Sequence, residues 1–116
     1  MGRVPNFQCA FFLVACAIIS CTAKTVTHDF RVSWVTANPD GLQARKVVGI
    51  NGQWPLPVIE VDKGDRLVVT MHNDLVDKRA SIHWHGMFQN GTNEMDGPSM
   101  VTQCPLPPGQ SIHGHF

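Results

Sequence analysis

Apolar and polar side chains alternate between residues 26 and 35. Because successive side chains of a strand point to opposite faces, this pattern predicts a strand with one face packed in a core. The predicted core face carries Val26, His28, Phe30, Val32 and Trp34. A single histidine among core residues is usually packed rather than reactive, so His28 is interpreted as structural.

Further short segments with strand character follow, separated by residues typical of turns. The stretches 38–41 (Asn-Pro-Asp-Gly) and 51–52 (Asn-Gly) have the chemistry of tight turns. The additional predicted strands cover residues 46–50, 58–61, 66–72 and 81–85. His72 is interpreted as a surface residue, and residues 74–79 are interpreted as a charged connection. No helical periodicity accompanies these segments, so the sequence predicts an all-β sandwich or barrel.

Length and charge exclude several classes of protein. The 116 residues allow one domain at most. The formal net charge is zero at pH 7, so nothing indicates a polyanionic partner such as nucleic acid. Charged residues make up 16%, below the roughly one quarter typical of soluble domains. No phosphate-binding glycine loop and no heptad repeat are present.

The N-terminus resembles a secretory signal over residues 1–23. It contains an early arginine, an unbroken apolar run at residues 9–19, and a final small residue, Ala23. The run is too short to span a bilayer, which argues against a membrane anchor. A bacterial lipoprotein box ending at Cys21 is a second alternative. We therefore predict a secreted protein whose mature domain covers residues 24–116.

Signal cleavage would change the cysteine inventory of the chain. Cys9, Cys16 and Cys21 would be removed, and Cys104 would remain alone. An odd cysteine in a secreted protein suggests a disulfide partner elsewhere or a reactive thiol. A buried free thiol is the other interpretation.

Two histidines stand on either side of Trp84. If this segment is a strand, His83 and His85 share one face and Trp84 takes the other. Imidazoles placed in this way could each reach one of two metal ions lying side by side, and imidazole suits copper, zinc, iron and nickel. The alternative is a solvated histidine pair that binds no metal.

The histidine pair begins a longer pattern. His-Trp-His-Gly at residues 83–86 is followed by Asp96-Gly97 and then by Gln-Cys-Pro-Leu at residues 103–106. This pattern resembles the first copper-binding signature of the multicopper oxidases, which include laccases and fungal ferroxidases, with Leu106 in the place of an isoleucine. The resemblance covers residues 26–110. It includes the upstream stretches 38–41, 51–55 and 63–66.

The resemblance implies a cupredoxin (plastocyanin-like) Greek-key β-barrel that is incomplete at its C-terminus. It implies that His83 is a ligand of the type 2 copper and His85 a ligand of one copper of the type 3 pair. Asp96 matches an acidic position that assists proton delivery during oxygen reduction, and a simple Asp-Gly turn residue is the alternative. In relatives the cysteine at the position of Cys104 pairs with one further along the chain, and this sequence has no cysteine after residue 104.

By the same resemblance, the cofactor is copper and one partner is dioxygen, which is reduced to water. The reducing substrate would be a phenol or aromatic amine, as in laccases, or ferrous iron, as in ferroxidases. The other histidines of the copper cluster are expected beyond Phe116. The chain is therefore expected to be a truncated form of an oxidase.

Two alternative functions stay open. A non-catalytic copper-binding cupredoxin module would need a cluster of cysteine, methionine and histidine, and Cys104 does precede His113 and His115. A cupin-like metal protein is disfavoured, because Gln89 and Asn90 stand where its glutamate is expected.

Two further features concern possible modification and metal binding. Asn90 opens an Asn-Gly-Thr glycosylation sequon. The pair His113 and His115 repeats the spacing of a metal-binding pair, but Gly114 between them is expected to weaken a strand there.

Overall fold

The computed structural model describes residues 23–116, and almost all of their regular structure is β-sheet. The four strands are β1 (Thr25–Ala37), β2 (Arg45–Ile50), β3 (Arg66–Asn73) and β4 (Ser111–His115). A 3-10 helix at Asn93–Met95 is the helical element of the described residues, and none of them forms a helix long and apolar enough to cross a bilayer. The predicted signal lies outside the described residues, apart from Ala23.

The strands form one sheet in the order β2-β1-β3-β4. β1 and β3 run parallel, whereas β2 pairs antiparallel with β1 and β4 antiparallel with β3. Parallel neighbours require a crossover, which the chain makes between β2 and β3. Since β2 and β4 do not pair with each other, the sheet is not closed. The predicted all-β fold, incomplete as a barrel, is confirmed.

One face of the sheet carries the hydrophobic core. The parallel register sets Val26 beside Leu67 and Phe30 beside Met71, so the apolar positions of β1 and β3 coincide on one face. The buried core residues are Phe30, Val32, Ile50, Leu67, Val69, Met71, Leu75 and Leu106. His28 is half-buried, with its ring 5.6 Å from that of Phe30, as expected of a packed histidine.

The apolar face of β1 extends beyond this core. Trp34 pairs with Val48 of β2, and the two residues are 38% and 41% exposed. The indole N–H of Trp34 donates a hydrogen bond to Asp77 Oδ1 at 3.0 Å. The prediction that Trp34 belongs to the core is therefore wrong, because the described residues leave this end of the sheet partly uncovered.

Two of the predicted strands are not strands. Residues 58–61 join no sheet, and Val58 is 81% exposed. Residues 81–85 are irregular and end in a turn, although the preceding Ala80 forms an isolated bridge with Leu106. Both predictions failed because the residue types of a short segment do not determine which main chains pair.

β4 forms even though Gly114 lies within it. His113 pairs with Thr70 of β3, and the Phe116 ring occupies the space beside Gly114, 3.2 Å from where a Cβ would stand. The expected weakening by Gly114 does not stop the strand from forming, and the Phe116 ring packs where a side chain at residue 114 would lie.

His72, interpreted as a surface residue, is half-buried with a side chain that is 26% exposed, and it forms hydrogen bonds to both neighbouring strands. Its Nε2 lies 3.0 Å from Asp29 Oδ2, and since a carboxylate accepts, Nε2–H is the donor. The neutral ring then accepts from the Ser111 hydroxyl through Nδ1 at 2.7 Å. These bonds connect β1, β3 and β4. The charged connection that follows also contributes Leu75, which is buried in the core.

Candidate metal centre

The histidine-bearing segment comprises residues 80–106 and packs against the sheet. Ala80 and Leu106 exchange main-chain hydrogen bonds of 3.0 and 2.8 Å, which brings the two ends of the segment together. Trp84 is half-buried, and its ring centroid lies 4.5 Å from that of Phe116. This contact anchors Trp84 in the domain, as the alternation predicted, and leaves the histidines on either side exposed.

The rings of His83 and His85 lie together. Their centroids are 5.7 Å apart and their planes are nearly perpendicular, at 89°. Neighbouring imidazoles at this distance can each present a nitrogen atom to one of two metal ions lying side by side. The structure therefore brings together the two histidines predicted as ligands, although their backbone is not a regular strand.

The main chain of Asp96 determines which nitrogen of the neutral His83 ring carries the proton. His83 Nδ1 lies 2.9 Å from the Asp96 carbonyl oxygen. A carbonyl oxygen only accepts hydrogen bonds, so in the neutral ring Nδ1 carries the proton and Nε2 keeps a free lone pair. A metal ligand of this kind usually has its other ring nitrogen bonded to a carboxylate or carbonyl. His83 is thus arranged to bind a metal through Nε2.

The Asp96 side chain is close to the same ring. Its Oδ1 lies 3.4 Å from His83 Nδ1, and its carboxylate is 26% exposed. Asp96 also ends the 3-10 helix, where its N–H donates to the Asn93 carbonyl. The structure thus places the predicted catalytic carboxylate beside the first predicted ligand, and it also gives Asp96 the turn role that was the alternative.

The donor set fits copper in kind, because neutral imidazole is a suitable copper ligand. Within residues 23–116, however, no three side chains of histidine, cysteine, aspartate or glutamate lie close enough to hold one ion. Cys104 therefore does not combine with His113 and His115 into a copper site here. It is exposed, and it has no disulfide partner among the described residues.

The remaining predicted site residues lie elsewhere on the surface. Asn90 is exposed in a turn, and Thr92 of the same sequon donates a hydroxyl hydrogen bond to Gln89 Oε1 at 2.8 Å. His113 is exposed on β4, with Nδ1 2.9 Å from the Thr70 hydroxyl. Within the described residues, His113 does not join the His83–His85 pair as a third ligand.

Sequence reasoning identified the Asp96 side chain and missed its main chain. The same carbonyl oxygen that accepts from His83 also accepts from the Trp84 N–H at 3.0 Å. Every residue has a carbonyl group, so residue identity carries no signal for this role. The glycine after Asp96 was the available clue, because glycine is the residue that most readily adopts a positive φ, and Gly97 has a φ of +92°.

The sequence model of the multicopper oxidase family matches residues 31–116, which include the histidine pair, Asp96 and Cys104. The chain belongs to the multicopper oxidase family. The predicted resemblance is therefore confirmed at the level of the family.

Curated relatives of both kinds named in the resemblance are similar to this chain. The iron transport multicopper oxidase fetC of Epichloe festucae is 54% identical over 104 residues, covering 90% of this chain and 17% of that protein. Laccase-1 of Agaricus bisporus is 44% identical over 111 residues, covering 92% of this chain and 21% of that protein. The chain thus spans about a fifth of the length of these multicopper oxidases.

Solved structures of multicopper oxidases share the fold. Fet3p, a multicopper oxidase that functions in iron import, has a TM-score of 0.74 and 43% identity, covering 79% of this chain and 17% of that one. The laccase from Botrytis aclada has a TM-score of 0.76 and 40% identity, covering 82% of this chain and 17% of that one. These likenesses confirm the cupredoxin-like architecture of the described residues.

Proposed function

We propose that this chain is the N-terminal unit of a secreted multicopper oxidase, in which His83 and His85 supply two ligands to a trinuclear copper cluster. The observation that carries the proposal is the adjacency of the two rings, at 5.7 Å, together with the His83 Nδ1 bond that leaves Nε2 free. Membership of the multicopper oxidase family supports copper as the metal.

Bound copper would supply the redox chemistry, which is the reduction of dioxygen to water by electrons from ferrous iron or a phenol. The residues of this chain would orient the two histidine ligands and supply a proton for oxygen reduction. Trp84 holds the pair in place through its contact with Phe116. Asp96, whose carboxyl group lies beside His83, would take up a proton from solvent and then donate it during oxygen reduction. The identities to iron transport oxidases, 42% to 54%, include the 44% identity to the laccase, so both ferrous iron and a phenol are part of the proposal.

Copper titration of the chain tests the ligand assignment. We expect His83→Ala or His85→Ala to weaken Cu²⁺ binding at least about tenfold, because metal affinity depends on the number of preorganised ligands. The matched control is the double variant His113→Ala with His115→Ala, which removes an exposed pair of the same spacing and should leave the affinity unchanged. Isothermal titration calorimetry gives the affinity, and electron paramagnetic resonance gives the number of nitrogen ligands.

The reverse pattern, in which only the control variant loses copper, would contradict the assignment. An intense blue absorption that is lost in Cys104→Ser would instead favour the non-catalytic cupredoxin module, because that colour comes from thiolate-bound copper.

Secretion and glycosylation are part of the same proposal. The signal-like residues 1–23 support export, and the exposure of Asn90 makes its sequon accessible. N-terminal sequencing of protein recovered from the medium should begin at Lys24, and a retained Met1 would argue against cleavage. An enzymatic deglycosylation shift that is absent in Asn90→Gln would show that the sequon is used.

A further inference from the structure

We propose that Gly97 is a positioning residue for His83, and that it acts through the main-chain carbonyl of Asp96 rather than through the Asp96 carboxylate. The inference rests on the proposed ligand role of His83 and extends it. In this role, Gly97 favours the tautomer of His83 that has its proton on Nδ1, which leaves Nε2 free to bind a metal.

Two donors from consecutive residues converge on the Asp96 carbonyl oxygen. His83 Nδ1–H donates at 2.9 Å, and the Trp84 N–H donates at 3.0 Å. A carbonyl oxygen has two lone pairs, so both bonds can form at once. The pair of bonds fixes the backbone and the ring of His83 relative to a single atom. The carboxylate oxygen Oδ1 is further from the ring nitrogen, at 3.4 Å.

The absence of a side chain at Gly97 allows the Asp96 carbonyl oxygen to lie this close to His83 and Trp84. Gly97 is buried, and a Cβ built on it would overlap the carbonyl oxygen of Ile82 and lie 3.1 Å from the Cα of His83. The Asp96–Gly97 peptide therefore packs directly on the Ile82–His83 peptide. Both contacts involve main-chain atoms, which cannot move aside as the end of a flexible side chain could.

The planarity of the peptide bond connects Gly97 to His83. The Asp96 carbonyl group and the nitrogen and Cα of Gly97 belong to one planar unit. A displacement of the Gly97 Cα therefore moves the Asp96 oxygen as well. A side chain at residue 97 would push this unit away from residues 82–83 and lengthen both hydrogen bonds. The His83 ring would then lose the acceptor that keeps the proton on Nδ1.

Two variants separate this effect from backbone strain and from the carboxylate. Gly64 has a similarly positive φ of +99°, but nothing lies within 4 Å of where its Cβ would stand. Gly64→Ala therefore introduces comparable strain without the main-chain overlap. Asp96→Asn keeps the carbonyl group and removes the charge.

The test is long-range ¹⁵N–¹H NMR of the histidine rings in the metal-free chain, at a pH of about 8.5, where imidazoles are neutral. We expect His83 to carry its proton on Nδ1 in the parent chain, in Asp96→Asn and in Gly64→Ala. Gly97→Ala should show a mixture of tautomers, and its Cu²⁺ affinity should fall about tenfold or more, as when a supporting hydrogen bond to a metal ligand is lost.

Three results would overturn the proposal: a parent His83 protonated on Nε2, a tautomer switch in Asp96→Asn, or a folded Gly97→Ala that keeps the Nδ1–H tautomer. The first two do not require Gly97→Ala to fold. The tautomer is measured without metal, so this test is independent of the proposed function. If the NMR pattern is as expected but His83→Ala leaves the Cu²⁺ affinity unchanged, the proposed function is rejected and the positioning role of Gly97 stands.

Discussion

At the residue scale, Asn73 shows how one polar side chain can organise several loops. Its side chain is fully buried at the end of β3. The amide group donates to the carbonyl oxygens of Lys78 and Leu106 at 2.9 and 2.8 Å, and its oxygen accepts from the Leu75 N–H at 3.0 Å. Leu106 ends the histidine-bearing segment, so Asn73 connects the core to the candidate metal centre.

Replacing Asn73 should therefore destabilise the domain. Asn73→Ala would leave the buried Leu75 N–H without its partner, at a cost of about 1–3 kcal/mol. It would also remove the bonds to Lys78 and Leu106, although the Leu106 carbonyl still accepts from the Ala80 N–H. Urea denaturation followed by circular dichroism measures the loss. Gln43→Ala removes an amide from an exposed residue and should change the unfolding free energy by less than about 0.5 kcal/mol. Equal effects of the two variants would show that burial of Asn73 is not what matters.

At the scale of elements, a carboxylate joins the start of β1 to the start of β3. Asp65 accepts from the main-chain N–H of Lys24 at 3.1 Å and from that of Asp62 at 3.2 Å, and it lies 3.4 Å from the Lys24 ammonium group. The hydrogen bond from Lys24 is the largest of the influences that hold the pKa of Asp65 below its usual range. Asp65 thus stabilises the parallel pairing of β1 and β3 in its ionised form.

This lowered pKa predicts an acid-dependent loss of stability. A carboxyl whose pKa is lower in the folded state stabilises the fold above its unfolded pKa, about 3.9, and loses that contribution as the pH falls through the folded value. Asp65→Asn should therefore lower the urea midpoint at pH 7, and the difference from the parent chain should shrink towards pH 2. Glu60→Gln, at an exposed position, is the control. A difference that is the same at both pH values would contradict this role for Asp65.

At the scale of the whole molecule, the open sheet leaves β2 and β4 as edges. Unpaired edges offer free main-chain groups to other molecules, and charged residues on an edge discourage such pairing. On β2 the apolar Val48 is exposed beside Trp34, and Trp54 is also exposed in the following loop. The edge at β2 is therefore where the chain, when isolated, is expected to self-associate.

A single lysine on this edge should reduce self-association. Val48→Lys places a charge on β2, where incoming strands would pair, whereas Val76→Lys adds the same charge to a loop residue that is 86% exposed. Sedimentation velocity over a range of concentrations should show less association for Val48→Lys and no change for Val76→Lys. If both variants, or neither, reduce association, the β2 edge is not the contact.

Features that depend on local alternation were predictable from the sequence. The predicted segments 26–35 and 66–72 correspond closely to β1 and β3, because an alternating pattern directly indicates which side chains a sheet can bury. The predicted segment 46–50, which ends at an Asn-Gly turn, corresponds closely to β2. The spacing of His83 and His85 around Trp84 likewise indicated a histidine pair held by a packed tryptophan, and the longer motif indicated the family.

The tertiary structure alone decided which main chains meet. The parallel pairing of β1 with β3, the irregular backbone of residues 81–85 and the convergence of two donors on the Asp96 carbonyl all depend on contacts between distant parts of the chain. Main-chain groups are chemically the same in nearly every residue, so the residue types do not encode their partners. Packing determined the exposure of Trp34 in the same way, because alternation indicates a face but not how far the covering layer extends over it.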